Sequence, residues 1–303
     1  TISVKAEKAH HGHSDENAVS LLVKDRNVLL HDGGYREQTP NGKYRNDIYH
    51  NRLVFRDGRL PAGSGVYDFL HDHGHYKKAV TEKIHMQKFA ALEYSRTRLF
   101  DVARQLTWDR SITYIKEDGV FIVVDWLRAE ADQTTTVANL WHTGLVLEAG
   151  DGWFDTCVPH IYRGPGDANP HKNRTEWALA IEFPGSGRAV GQEAIKRCYG
   201  DAVMLYEAES RTMAKGDMQA YVTVLTPHRR EQAAADATGR VSIAHRSERA
   251  DTLALESRGG SHTYRLAYKL DLDLGLLDEA LYPRYTWEDG RIAYGGGGIA
   301  TDA

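Results

Sequence analysis

Short apolar runs, broken by polar or glycine-bearing turns, recur from residue 19 to residue 268, and that rhythm predicts strands. Residues 19–23 and 28–30 flank Lys24-Asp25-Arg26-Asn27, a hairpin-like turn. Leu53-Val54-Phe55 runs on into Asp57-Gly58, a turn dipeptide. Residues 96–99, 111–115, 120–126 and 134–142 favour β-branched and aromatic side chains, with Glu117-Asp118-Gly119 turning between the second and third. Residues 120–124 are apolar throughout, as expected of a strand buried on both faces. Further strands are predicted at 177–183, 221–225, 241–245 and 263–268. Helix is predicted in two places, over residues 83–90 and 189–199. Residues 231–239, rich in alanine and polar side chains, read as a linker or hairpin tip. The fold class that follows is all-β: a large antiparallel β-sandwich over residues 1–227 and a smaller C-terminal β region over 228–303.

Composition narrows the functional classes. With 38 Lys and Arg against 42 Asp and Glu, the net charge is −4, so no broad positive field exists to collect nucleic acid. Any acidic sugar must instead be met by local positive charge or a metal. No run approaches the roughly 18 apolar residues of a membrane span. Two cysteines, Cys157 and Cys198, leave the redox compartment open. Nothing resembles a phosphate-binding loop or a dinucleotide fingerprint.

The chemistry is concentrated in the first fifty or so residues. His11-Gly12-His13-Ser14-Asp15 precedes a strand, His31-Asp32-Gly33-Gly34-Tyr35 ends the next one, and His50-Asn51 opens a third. Residues two apart in an extended segment share a face, so His11 and His13 can look into one cleft, and neighbouring strands can bring Asp32 and His50 beside them. Two imidazoles and a carboxylate suit zinc, leaving a fourth position for water or a substrate oxygen. With 15 histidines, an H-x-H pair also arises by chance, and His71-Asp72-His73 is another such run.

The ordered series H-x-H-x-D, strand, Leu-Leu-His-Asp-Gly-Gly-Tyr, then His-Asn before a strand resembles the C-terminal domain of the heparinase II/III-like polysaccharide lyases. Trp108-Asp109-Arg110, Val123-Val124-Asp125 and Leu140-Trp141-His142 extend the resemblance, which covers residues 9–225 or so. Gly33 stands where that family usually has proline, and His31 where it usually has an apolar residue. The resemblance implies that His11 is catalytic and that His13, Asp32 and His50 bind Zn2+. Around them Arg36, Arg45, Tyr49 and His142 are expected at the substrate. It implies β-elimination on a 4-linked, uronic-acid-containing polysaccharide, in a periplasmic or secreted enzyme. It also implies a partner, an N-terminal α/α toroid of the same protein, expected upstream of Thr1, which supplies the catalytic tyrosine. The alternative reading is a non-catalytic carbohydrate-binding or scaffold β-domain with a structural zinc.

Overall fold

The computed structural model describes residues 2–5, 14–32, 46–72, 79–161, 171–197, 200–248, 252–259, 263–269, 285–287, 292–295 and 298–301. In chain order the strands begin with β1 (Ile2–Lys5), β2 (Ala18–Lys24), β3 (Asn27–His31), β4 (Leu53–Asp57), β5 (Ala79–Lys88) and β6 (Leu92–Asp101). There follow β7 (Leu106–Ile115), β8 (Val120–Ala129), β9 (Gln133–Thr143), β10 (Leu145–Gly150), β11 (Trp153–Cys157), β12 (His160–Ile161) and β13 (His171–Lys172). Next come β14 (Trp177–Glu182), β15 (Ala189–Arg197), β16 (Gly200–Met213), β17 (Met218–Arg229) and β18 (Val241–Arg246). The last are β19 (Thr252–Arg258), β20 (Thr263–Lys269), β21 (Tyr285–Trp287), β22 (Ile292–Gly295) and β23 (Gly298–Thr301). Among the described residues the α-helices are α1 (Val66–Asp72) and α2 (Ala234–Ala237), and a 3-10 turn spans Asp47–Tyr49. No helix among them is long and apolar enough to cross a membrane.

An eight-stranded sheet, β10-β11-β14-β17-β8-β7-β6-β5, packs against a four-stranded one, β15-β16-β9-β4, and their strands pair antiparallel among the described residues. Alternation along β8 shows the layering. Phe121 and Val123 point into the sandwich with Trp141 and Leu205. Ile122, Val124 and Trp126 point the other way, onto Leu253, Leu255 and Tyr268 of a six-stranded C-terminal sheet, β18 to β23. A strand with both faces covered has no polar face to alternate, which is why residues 120–124 are apolar without a break. On the far side of the four-stranded sheet, Ala138, Leu140 and Met204 are covered by Ile48, Tyr49, Phe69 and Leu70. The 3-10 turn and α1 therefore form a third covering layer. A three-stranded sheet, β1-β2-β3, abuts the sandwich through Val19, Leu22, Leu29 and Leu30.

The turn read at residues 24–27 is present, with Asp25 and Arg26 both left-handed (φ 46° and 65°), the geometry that matches strand twist in a two-residue hairpin. Both predicted helices are strands instead. Residues 83–88 belong to β5, paired with β6 from Ala79↔Asp101 to Lys88↔Glu93. Residues 189–197 are β15, paired with β16 from Ala189↔Ala208 to Arg197↔Gly200. Helix-forming side chains such as Gln192, Glu193, Ala194 and Lys196 misled because β15 is an edge strand, where solvated positions carry no strand signature and hairpin pairing decides. Gly191 marks the close approach: a Cβ there would lie 2.5 Å from Tyr206 Oη. Residues 231–239, expected to be a linker or hairpin tip, include α2.

On the outer face of the eight-stranded sheet, β14 sets Ala180 beside Asp155 of β11 and Ala178 beside His228 of β17, and across these small residues His228 reaches Asp155. His228 Nε2 lies 2.9 Å from Asp155 Oδ1, and Nδ1 lies 3.0 Å from the Arg229 carbonyl oxygen. Both ring nitrogens face acceptors, the arrangement of an imidazolium. Burial lowers the imidazole pKa, but the hydrogen bond and charge of Asp155 and the Arg229 carbonyl outweigh it and the opposing Arg240, leaving His228 above its ordinary value. A group raised on folding stabilises most below its unfolded pKa, about 6.5, and that contribution fades as pH rises through the folded value. The midpoint of thermal unfolding should therefore fall from pH 6 upward in the wild type, and fall less in His228→Gln. Parallel profiles for the two proteins would refute it.

Candidate active site

Asp32 follows β3 directly, and its main-chain N–H bonds the Ser20 carbonyl at 2.9 Å, so the β2–β3 hairpin register fixes where its carboxylate stands. His50 closes the 3-10 turn with its own N–H on the Asp47 carbonyl at 3.1 Å. The two side chains meet: His50 Nδ1 lies 2.5 Å from Asp32 Oδ1. The imidazole is 1% exposed and the carboxylate 15%, so the contact sits at the edge of the buried interior. At that distance the two atoms share a hydrogen bond, and a carboxylate oxygen and an imidazole nitrogen are also donor types that a divalent cation takes. His11, His13, Arg36 and Arg45 lie outside the described residues. Among the described residues no group of three or more His, Cys, Asp or Glu forms a metal-binding set.

Asn51 builds the wall behind His50. Its side-chain amide donates to the Val19 carbonyl at 2.9 Å and accepts the His142 main-chain N–H at 2.7 Å, fastening β2 to β9. Its own carbonyl accepts from Val19 N at 3.0 Å and from Arg110 at 2.8 Å. Arg110 is fully buried. It forks onto both oxygens of Asp125 at 2.7 and 3.0 Å, gives a third hydrogen bond to the Asn17 carbonyl at 3.0 Å, and lies between the rings of Trp108 and Trp141. Trp108 Nε1 donates to Asp125 as well, at 2.8 Å. One guanidinium inside the sandwich thus holds the segment entering β2 and the segment bearing His50.

A second arginine repeats this one layer out. Arg52 Nη1 donates to the Ser14 carbonyl at 2.6 Å, tying the residue that follows His13 to the residue two beyond His50. Arg56, also fully buried, forks onto Asp47 at 2.8 and 2.6 Å and reaches the Leu70 carbonyl in α1 at 2.6 Å. Burial pushes the Asp47 carboxyl up, but the charges of Arg56, Arg52 and Arg104, with the Arg56 hydrogen bonds, bring it down to about 2.

Tyr49 and His142, read from the sequence as substrate contacts, are 3% and 0% exposed. What they touch is protein: Tyr49 shares a 2.7 Å hydrogen bond with Tyr67 Oη, and His142 lies on the covered outer face of β9. Sequence reasoning missed Asn51 as a clamp and Arg110 and Asp125 as the pair beneath it. The signal was there in His50-Asn51, and in an arginine and an aspartate each standing in an otherwise buried strand. Cys157 is buried and free.

No family model matches the chain, and no curated protein does. Solved structures do match in fold. A heparinase III aligns with 89% of this chain at 14% identity, with a TM-score of 0.59. A heparan sulfate lyase from Pedobacter heparinus aligns with 88% at 15% identity and a TM-score of 0.61. Another heparinase III structure aligns with 86% at 14% identity and 0.57. This chain spans between 36% and 39% of the length of those proteins. At these identities what is shared is the fold: an antiparallel β-sandwich of the kind found in heparinase III.

Proposed function

We propose that this chain forms the β-domain wall of the active-site cleft of a polysaccharide lyase acting by β-elimination on a uronic-acid-containing polysaccharide. The observation that carries the reading is the meeting of Asp32 with His50, two residues singled out by motif order alone, at 2.5 Å. The tie from Arg52 to Ser14 supports His13 as their companion, since His13 is the residue that precedes Ser14 in the sequence. The likeness in fold to proteins named heparinase III and heparan sulfate lyase supports the class of reaction.

In that reaction the C5–H bond breaks, its electron pair forms the C4=C5 double bond, and the C4–O4 bond breaks with its pair leaving on O4, which takes up a proton. The carbon acid is weak until the charge growing on its carboxylate is met. His11 acts at the C5 proton, where an imidazole with a pKa near the working pH is suited to the transfer. His13, Asp32 and His50 would hold a zinc ion, which supplies a fixed positive charge that orders the loops around His11. Asn51 and Arg110 keep that wall from shifting. The toroid partner, the proton-returning tyrosine and a periplasmic or secreted location belong to the same proposal, with Arg36 and Arg45 as carboxylate contacts.

The test is product chemistry. The complete enzyme, mixed with uronate polysaccharides, should release oligosaccharides bearing a 4,5-double bond, seen as rising near-ultraviolet absorbance. Saturated ends with no such rise would replace the lyase by a hydrolase, and no cleavage of any uronate polymer would favour the scaffold reading.

A further inference from the structure

α1 crosses the outer face of the four-stranded sheet, touching β15 at one edge, β4 at the other, and the 3-10 turn that leads to His50. It has seven residues, too few to persist on helix propensity alone, so its position depends on what holds it. Three polar ties do so. Glu193, on β15, accepts the main-chain N–H of Val66 at 2.7 Å and of Tyr67 at 2.8 Å, one oxygen to each. Arg56 reaches the Leu70 carbonyl near the other end. Between them Tyr67 Oη meets Tyr49 Oη at 2.7 Å, with the rings edge-on at 65°. Tyr67 is in turn stacked on His71, centroids 5.7 Å apart.

Tyr49 is the residue before His50. Its ring is buried among Ile48, Leu140 and Met204, and its hydroxyl gives that buried side chain a polar handle next to the main chain entering His50. We infer that Tyr67 is a positioning residue for His50: Glu193 fixes the start of α1, α1 presents Tyr67, and the Tyr67–Tyr49 hydrogen bond sets the pose in which His50 meets Asp32. The route runs from the far edge of the sheet to the site, its first step joining residues 127 apart in sequence. The inference rests on reading Asp32 and His50 as metal ligands, and it adds two residues, Tyr67 and Glu193, that no motif in the sequence marks.

Tyr67→Phe removes one oxygen and keeps the ring that packs against the buried cluster, so it should fold. Three readouts are taken on the full chain: zinc affinity by competition with a chelator, the visible spectrum of the Co2+-loaded protein, and the 15N resonances of the His50 ring in the metal-free protein. Tyr67→Phe should weaken zinc binding about tenfold, the low end for groups that hold a ligand in place. It should also alter the cobalt bands and move the His50 resonances. Glu193→Gln keeps one good acceptor oxygen and should fall between wild type and Glu193→Ala. A general loss of stability would lower the melting midpoint while leaving the cobalt bands alone. Unchanged affinity, bands and resonances in both Tyr67→Phe and Glu193→Ala would reduce α1 to packing and overturn the inference. If the wild type takes up no zinc or cobalt, the metal reading fails. The His50 resonances then still decide the positioning role: a shift in Tyr67→Phe sustains it and no shift overturns it.

Discussion

Replacing Asp125 by alanine should cost about 3–5 kcal/mol of folding stability, more than any other single change proposed for this chain. Removing one partner of a buried ion pair leaves the other charged and unsolvated, and that penalty dominates the loss. Arg110 has nowhere to take its charge: it is 1% exposed, with Trp108 and Trp141 on either side. Chemical denaturation should show a lower midpoint with an unchanged slope, and the melting temperature should fall by on the order of 10 °C. A double variant, Arg110→Leu with Asp125→Leu, removes both charges and should recover part of the loss. Recovery should be incomplete, because the Asn17 and Asn51 carbonyls would each lose the hydrogen bond that Arg110 donates. A cost below about 1 kcal/mol for Asp125→Ala would show that water reaches the pair.

His11→Ala in the complete enzyme should lower turnover by roughly 10² or more, the usual scale for a lost general acid or base. Zinc content should stay as in the wild type, because His11 is assigned to the proton and not to the metal. Asp32→Ala should do the reverse in order, losing metal first and activity as a consequence. The pair of variants therefore separates chemistry from support. An unaltered rate in His11→Ala would make that histidine a bystander, and loss of zinc in the same variant would make it a ligand.

The layers of this sandwich were legible where periodicity is strict. Residues 120–124, buried on both faces, and the hairpin at residues 24–27 could be placed because burial and turn chemistry leave direct marks on residue type. Edge strands leave weaker marks. β15 exposes Gln192, Ala194 and Lys196, so its letters suit a helix as well, and only its partner β16 decides. α1 escaped notice because seven residues hold barely two turns of pattern and its anchor, Glu193, lies 127 residues away. For the site, motif order singled out Asp32 and His50, which do meet. It pointed to Asn51, Arg110 and Asp125 only as letters in the pattern, because their part is played through main-chain carbonyls and a strand register that letters alone do not specify.

Asn51 also bears on whether such a site can be moved. Ligand side chains are easily copied onto another β-sandwich by a few substitutions. Here, though, the residue beside His50 is stitched to Val19 on one strand and to His142 on another, and its carbonyl is held by a guanidinium from the middle of the sandwich. A transplant that carried only the proposed ligands would leave that amide and that carbonyl facing a core built for something else. The smallest portable unit therefore includes Arg110, Asp125 and the tryptophans around them, so the recipient's core would have to be redesigned before its surface.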